Sequence, residues 1–535
     1  MTRRSMINDD EVARCRALIE RSGVADWLEA GIVARHARPG RPRVLSVKAL
    51  LCALLLLGVD DRALHLTGAT EVLFSRLSDE AKTTLGVVGD VQDERAFKAR
   101  YRQVRYLFHV VAGVLDPSGL AKNHRVDAEE FERRRRDVSE KDAGDARTRL
   151  ESFMGAARRE HRRTPRPAMP TRVRTRRHAG AAVLEGAIQA FGTLRHSADG
   201  GWYVREGDHR EREDHRGRRR NRVAWALEAT MLTTASGTPG ELAAFPNVVV
   251  GLALARPGSD PGGTAVRVLA GARQRGFTPG PLGVDRAYSS ALATVFHLPA
   301  RAMGYEPVMD YRIDELGRQA NSHGAVLVEG TWYCPAMPDV LVAATLDYRG
   351  GAIDADLYSQ RIAARADYAL RRKSGPDADG YERFTCPALG NPKVRCALRP
   401  TSSATIGKRP VTPPEVPPLL CRQSAITIAP DVAVRHAQSL AYGSQEWARH
   451  YATLRNTIEG WNGFAKDTAH EALAQPARRR VRGIAAQGIF VTLLIVAANL
   501  RKIDAHQRQM DNREAVEARK RARRRRVSLK DYLAS

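Results

Sequence analysis

Apolar residues recur at intervals of three and four from Asp9 to about Asp116, as in Val12, Leu18 and Ile19 and again in Val47, Leu50, Leu51 and Leu54. That period predicts a helical N-terminal domain over residues 1–120. The run Arg38-Pro39-Gly40-Arg41-Pro42-Arg43 interrupts it with an extended basic link. Such a link is a helix-breaking loop with solvated arginines, or an arm of the kind that lies in a narrow minor groove. Residues 121–179 are highly charged and poor in large apolar side chains, which predicts a solvated helix followed by a basic linker.

After Gly180 the period changes. Ala181–Phe191, Trp202–Arg205 and Val223–Thr234 are short, apolar and separated by turn residues, and they predict three consecutive antiparallel strands. Val248–Ala255, Gly283–Asp285 and Glu306–Asp310 predict further strands, with helices at Thr264–Arg275 and Ser289–Gly304. The pattern is α/β with a mixed sheet over residues 180–317. Residues 318–430 are dense in Pro and Gly and read as an irregular insertion. Helices are expected again over residues 431–504, then a frayed basic tail at 505–535.

Charge adds a partner to this picture. The formal net charge is +26, and the basic clusters are spread along the chain, at Arg133–Arg136, Arg158–Arg177, Arg216–Arg222, Arg478–Arg482 and Arg519–Arg526. An excess of that size points to a polyanion, with nucleic acid the first candidate. Met1–Asp10 has no apolar segment behind it, so a cytoplasmic chain without a secretory signal is expected. Ile484–Leu500 is apolar but shorter than the roughly 20 residues of a membrane span, and it predicts a buried core helix. Six cysteines in 535 residues do not make a disulfide scaffold. Cys334, Cys386, Cys396 and Cys421 raise the question of zinc, but no CxxC pair exists, so ordinary buried thiols are the expectation.

The segment Tyr451–Lys466 carries the most chemistry. On a helix, Arg455 and Lys466 fall within about 40° of Glu459 and Tyr451 within about 80°, with Asn462 on the same face. A solvated face with an i,i+4 ion pair accounts for Arg455 and Glu459 by itself. The arrangement also resembles the signature around the third catalytic acid of insertion-sequence transposases of the DDE class. Arg455-x₃-Glu459-x₆-Lys466 has that family's spacing, and Tyr451 sits one residue further upstream than its usual pattern. Arg478-Arg479-Arg480-Val481-Arg482-Gly483, followed by an apolar helix ending in Asn499-Leu500-Arg501, is similar to the ends of such proteins. Leu282-Gly283-Val284-Asp285, with Tyr288 three residues on, looks like the family's second acid, although a strand-end Asp is also a good helix cap. The 174 residues from Asp285 to Glu459 leave room for an inserted domain. By position the first acid belongs on the first strand, where only Glu185 is present in place of the usual Asp. Asp199 and Asp208 follow in turn-like contexts.

The resemblance implies a ribonuclease-H-like core that cuts element ends and joins them to target DNA. It implies Mg²⁺ or Mn²⁺ held by Glu185, Asp285 and Glu459, since two such ions stabilise both oxygens of an in-line displacement. It also implies phosphate binding by Tyr451, Arg455 and Lys466, and a homo-oligomer on double-stranded DNA. The alternative is a DNA-binding derivative without cleavage activity, toward which the Glu at position 185 leans.

Overall fold

In a computed structural model of the chain, the described residues are 5–35, 43–118, 128–156, 180–189, 199–204, 223–235, 245–390, 396, 398–399, 405–406, 409–410 and 415–534. Arg38–Pro42, Asp208 and most of the linker before residue 180 lie outside them.

The N-terminal region is helical, as its period requires: α1 (Asp9–Ser22), α2 (Val24–Arg35), α3 (Val47–Val59), α4 (Leu66–Glu71), α5 (Asp79–Leu85) and α6 (Glu94–Leu115). Asn8 caps α1, accepting the Asp10 N–H, and Gly23 ends the helix in the left-handed conformation. α3 has no polar face, and Ala49 to Leu57 are all fully buried. A helix apolar on every side must be covered on every side. α1, α2, α4 and α6 supply part of that cover, and the C-terminal helix the rest.

α7 (Ala128–Asp137) and α8 (Glu140–Ala156) follow. The expected solvated helix is corrected here, because α8 buries Ala146, Leu150, Phe153 and Met154. These residues recur at four, three and one, which is a narrow stripe that the flanking charges mask in the sequence.

The sheet contains β1 (Gly180–Gln189), β2 (Gly201–Val204), β3 (Val223–Ala235), β4 (Val249–Ala255), β5 (Pro281–Gly283) and β6 (Glu306–Val308), in the order β2-β3-β1-β5-β6 with β4 also on β3. β3 runs antiparallel to β1, β2 and β4, whereas β5 is parallel to β1 and β6 is parallel to β5. The fold is therefore a mixed α/β arrangement, as the period change at Gly180 predicts. α9 (Pro261–Gln274) covers one face, where Gly251 leaves room for Val268. α10 (Gln445–Lys466) covers the other, with Leu454 against Ala235 and Val308.

α11 (Ile484–Ala534) begins in the core. It is long and apolar enough to cross a membrane, but 89% of its apolar window is buried inside the molecule. Gly58 of α3 meets Ala497, Gly488 meets Leu150 of α8, and the Asn499 amide bonds Val249 of β4 in both directions at 2.9 Å. One continuous hydrophobic core thus joins the N-terminal helices, the sheet and α11. The expected frayed tail is also corrected: the helix continues unbroken to Ala534, and its side chains are exposed from Asp511 to Ala522.

Three smaller expectations differ. The Ser289–Gly304 helix is broken into Arg286–Ser289, a π-turn at Ala293–His297 and Leu298–Ala302. Pro299 lacks the N–H a helix interior needs and so starts a new helix. Residues 431–444 are turns, and regular helix resumes only at Gln445. The insertion is not irregular throughout. It folds into a sheet of β7 (Arg318–Ser322), β8 (Ala325–Val328) and β9 (Thr331–Tyr333), and a second of β10 (Arg371–Ser374), β11 (Glu382–Thr385) and β12 (Ile426–Ile428). These strands are three to five residues long, too short for alternation to be read. Two small hydrophobic clusters of its own hold the insertion together. Beside one lies a buried ion pair, Arg365 to Glu329 at 2.6 Å, satisfied further by Thr345, the Gly317 N–H and the Leu341 carbonyl.

Candidate active site

The site forms where the parallel strands end. β5 runs through buried Leu282 and Gly283 and emerges at Asp285, which is exposed. The Asp285 carbonyl accepts the N–H groups of Tyr288 and Ser289 at 3.0 and 3.2 Å, so the chain turns at once into a short helix. The strand thus stops two residues before the acid and not at it. Outside the carboxyl ends of parallel strands is the usual place for chemistry in an open α/β sheet.

Gly283 decides how closely α10 can approach. A Cβ there would lie 2.7 Å from the Leu454 Cβ, closer than two carbon atoms pack, so only glycine allows this contact. Leu454, Trp461 and Ala465 form the buried stripe of α10, and the Trp461 indole donates to the Asn247 carbonyl at 2.9 Å. With Leu454 seated on β5, the next residue, Arg455, stands over the strand end, and its guanidinium feels the charge of Asp285. The same guanidinium pairs with Glu459 at 2.9 Å and donates to the Tyr451 hydroxyl at 3.2 Å. The Tyr451 hydrogen bond first, then the nearby negative charges, raises the Arg455 pKa above its ordinary value.

Glu459 thus touches Arg455 directly, while Asp285, 174 residues earlier in the chain, acts on the same arginine only through its charge. Glu459 remains 57% exposed, so its carboxylate is accessible to an ion or a phosphate backbone. Tyr451 stacks on Trp447 at 4.9 Å, and Trp447 is fixed by a 3.2 Å bond from its indole to Gln438. Lys466 ends the helix, about 10 Å further along its axis from Glu459. Asn462 lies between them, and its Oδ1 is buried with no hydrogen-bond partner among the described residues.

The backbone register sets Glu185 near the level of Asp285, but alternation along β1 places it on the face opposite Ala182, the neighbour of Gly283 beneath α10. Ala181 pairs with Leu282 and Ala182 with Gly283, so continuing along the parallel pair sets Glu185 one residue beyond the level of Asp285. Adjacent strands are about 4.8 Å apart. Across the antiparallel pair Glu185 faces Thr230, whose hydroxyl is 3.4 Å from that of Tyr288. Asp199 is elsewhere. It precedes β2, three strand spacings or about 14 Å from β5, and its Oδ2 accepts the Ile484 N–H at 2.9 Å to cap α11. Among the described residues no three acids stand in a ready metal-holding cluster.

Sequence reasoning missed Asp310. It follows β6 just as Asp285 follows β5, and the Gly283–Val308 pairing puts the two acids at one level. The repeated strand-x-Asp ending was the available signal. Asp310 is held by Tyr442 at 2.6 Å and by Arg349 of the insertion at 3.1 Å, so it links the insertion to the rim of the site. No protein-family model, curated protein or solved structure matches this chain.

Proposed function

We propose that the chain is a DNA transposase of the DDE class, with Asp285 and Glu459 as two of its catalytic acids and Glu185 as the third. The observation that carries this reading is that Arg455, paired with Glu459, also feels the charge of Asp285, which follows the carboxyl end of a parallel strand. The order β4-β3-β1-β5-β6, three antiparallel strands followed by two parallel ones, supports a ribonuclease-H-like core. The net charge of +26 and the basic run Arg519–Arg526 in α11 support a nucleic-acid partner.

On this reading Asp285, Glu459 and Glu185 would hold Mg²⁺ or Mn²⁺. Both described acids offer hard oxygen donors on an accessible rim, as such ions require. Those ions would supply charge stabilisation at the attacking and leaving oxygens. Arg455 pairs with Glu459 beside Asp285. Its planar fork suits a phosphate once the carboxylates are otherwise engaged. Tyr451 positions Arg455, and Lys466 extends the cationic track along α10.

The test is nicking and strand transfer by the full-length protein on duplexes carrying the sequences that flank its gene. We expect Mg²⁺- or Mn²⁺-dependent products, and duplex binding that weakens steeply with salt as counterions are released. Tight, salt-dependent binding with no cleavage in either metal would favour the DNA-binding derivative. Absence of both would dismiss a transposase origin for the activity.

A further inference from the structure

Four of the six cysteines are buried in the insertion, three of them joined by hydrogen bonds between their thiols. Cys334 follows β9, Cys386 follows β11, Cys396 lies in the next loop, and Cys421 sits in the short helix Leu419–Arg422. All four are at most 7% exposed, and none is in a disulfide. The Cys334 thiol is hydrogen-bonded to those of Cys386 and Cys396, and Cys421 lies within electrostatic reach of the latter two.

Three of the four build the same local structure. The Cys334 carbonyl accepts the Met337 N–H at 3.1 Å, the Cys386 carbonyl that of Leu389 at 3.1 Å, and the Cys396 carbonyl that of Arg399 at 3.3 Å. Each is a tight turn opened by a cysteine. In each, a backbone N–H two residues on is donated to the sulfur: from Ala336 to Cys334, from Ala388 to Cys386 and from Leu398 to Cys396. Inert buried thiols do not need this. Cys15 and Cys52 are packed among the aliphatic side chains of the main core. Turns that aim N–H dipoles at sulfur stabilise negative charge there, which is what a thiolate ligand requires.

We propose that Cys334, Cys386, Cys396 and Cys421 are the ligands of a structural zinc ion that holds the insertion together. Four soft sulfurs and no open position fit tetrahedral zinc in a closed, non-catalytic site. Among the described residues no three such side chains already stand close enough together to hold a metal. Zn–S bonds of about 2.3 Å would draw the four sulfurs inward, Cys421 most of all. Each thiol gives its proton to solvent as its sulfur binds. The site joins β9, β11 and the Leu419–Arg422 helix, so it bridges the two small sheets. The sequence signal is Cys-Pro-Ala, present at Cys334 and again at Cys386, in place of a CxxC pair.

The test is the metal content of the full-length protein, purified under reducing conditions without chelator. We expect about one zinc ion per chain. Replacement by Co²⁺ should give the intense charge-transfer and visible bands of a tetrahedral thiolate site. Cys386→Ser and Cys421→Ser should lose the ion, and Cys52→Ser should keep it. If the serine variants fail to fold, the Co²⁺ spectrum of the unaltered chain, with zinc release as its thiols are titrated by a mercurial, still reads the site. Folded protein without zinc whose four thiols titrate freely would overturn the proposal. So would a disulfide among them, or iron in place of zinc. None of these outcomes depends on DNA cleavage.

Discussion

The N-terminal helices and the insertion are both additions to the sheet, and they are joined to it in opposite ways. The N-terminal helices have surrendered their independence: α3 is apolar on all sides, and part of its cover is α11, more than 400 residues later. The insertion keeps two small cores of its own and meets the rest of the chain at Asp310 through Arg349, at Gln438 through a backbone bond to Gly330, and at Gly443 through Tyr358 and Ile362. A module of that size buries too little apolar surface to be secure without a staple. Covering an all-apolar helix ties distant parts of a chain into one core, whereas the insertion has cores of its own and depends less on that shared one.

The largest effect should come from cutting across the shared core. A fragment ending at Leu120 exposes the α11-facing side of α3, and we expect no cooperative melting transition from it. Removal of residues 318–430 with a short replacement loop should leave a cooperative transition in the remainder. A well-folded 1–120 fragment would break the comparison.

Next is Asn499→Leu. Its amide satisfies both the N–H and the carbonyl of Val249, and leucine leaves both buried and unpaired. We expect a loss of about 3 kcal/mol by denaturant unfolding. A loss near zero would mean that α11 is not pinned to β4.

Gly283→Ala should cost about 1–3 kcal/mol, because the new Cβ and that of Leu454 cannot both keep their places. It should also weaken any metal response of the Asp285–Glu459 site more than it weakens the fold.

The smallest effect concerns His297, which is buried against the Ser289 carbonyl at 3.2 Å. Burial pushes its pKa down to about 4, so the unfolded chain binds this proton more readily. Stability from this group is fully present above about pH 6.5 and is lost as pH falls toward 4. In melting curves across that window, His297→Gln should show a shallower fall than the unaltered chain.

Much of this was legible in the sequence, for identifiable reasons. The strands from Ala181 to Ala255 and the helix at Tyr451–Lys466 announce themselves by their periods. Arg455 and Glu459 form the i,i+4 pair that helical spacing requires. The sheet order was not legible, because pairing between β1 and β5 is set by packing across a separation of about a hundred residues. Nor was the role of Gly283, since only the approach of Leu454 shows why a side chain is excluded there. The four cysteines of the insertion were visible, but they come from four separate segments with no CxxC pair, so the sequence favours ordinary buried thiols for them.

The central claim is that Glu459 is chemical and not merely part of a solvated helix face. Its side chain is 57% exposed and pairs with Arg455 on the same helix, so Glu459→Gln should leave the fold intact at a cost below about 1 kcal/mol. The decisive measurement compares unaltered protein and Glu459→Gln on the same labelled flanking duplex, in Mg²⁺ and in Mn²⁺. We predict that the unaltered protein cleaves in at least one metal. The variant should bind the duplex with unchanged salt dependence and cut at least about a hundredfold more slowly, the scale on which displaced reacting groups fail. Equal cleavage by the two proteins would contradict the account and return Arg455 and Glu459 to an ordinary surface ion pair.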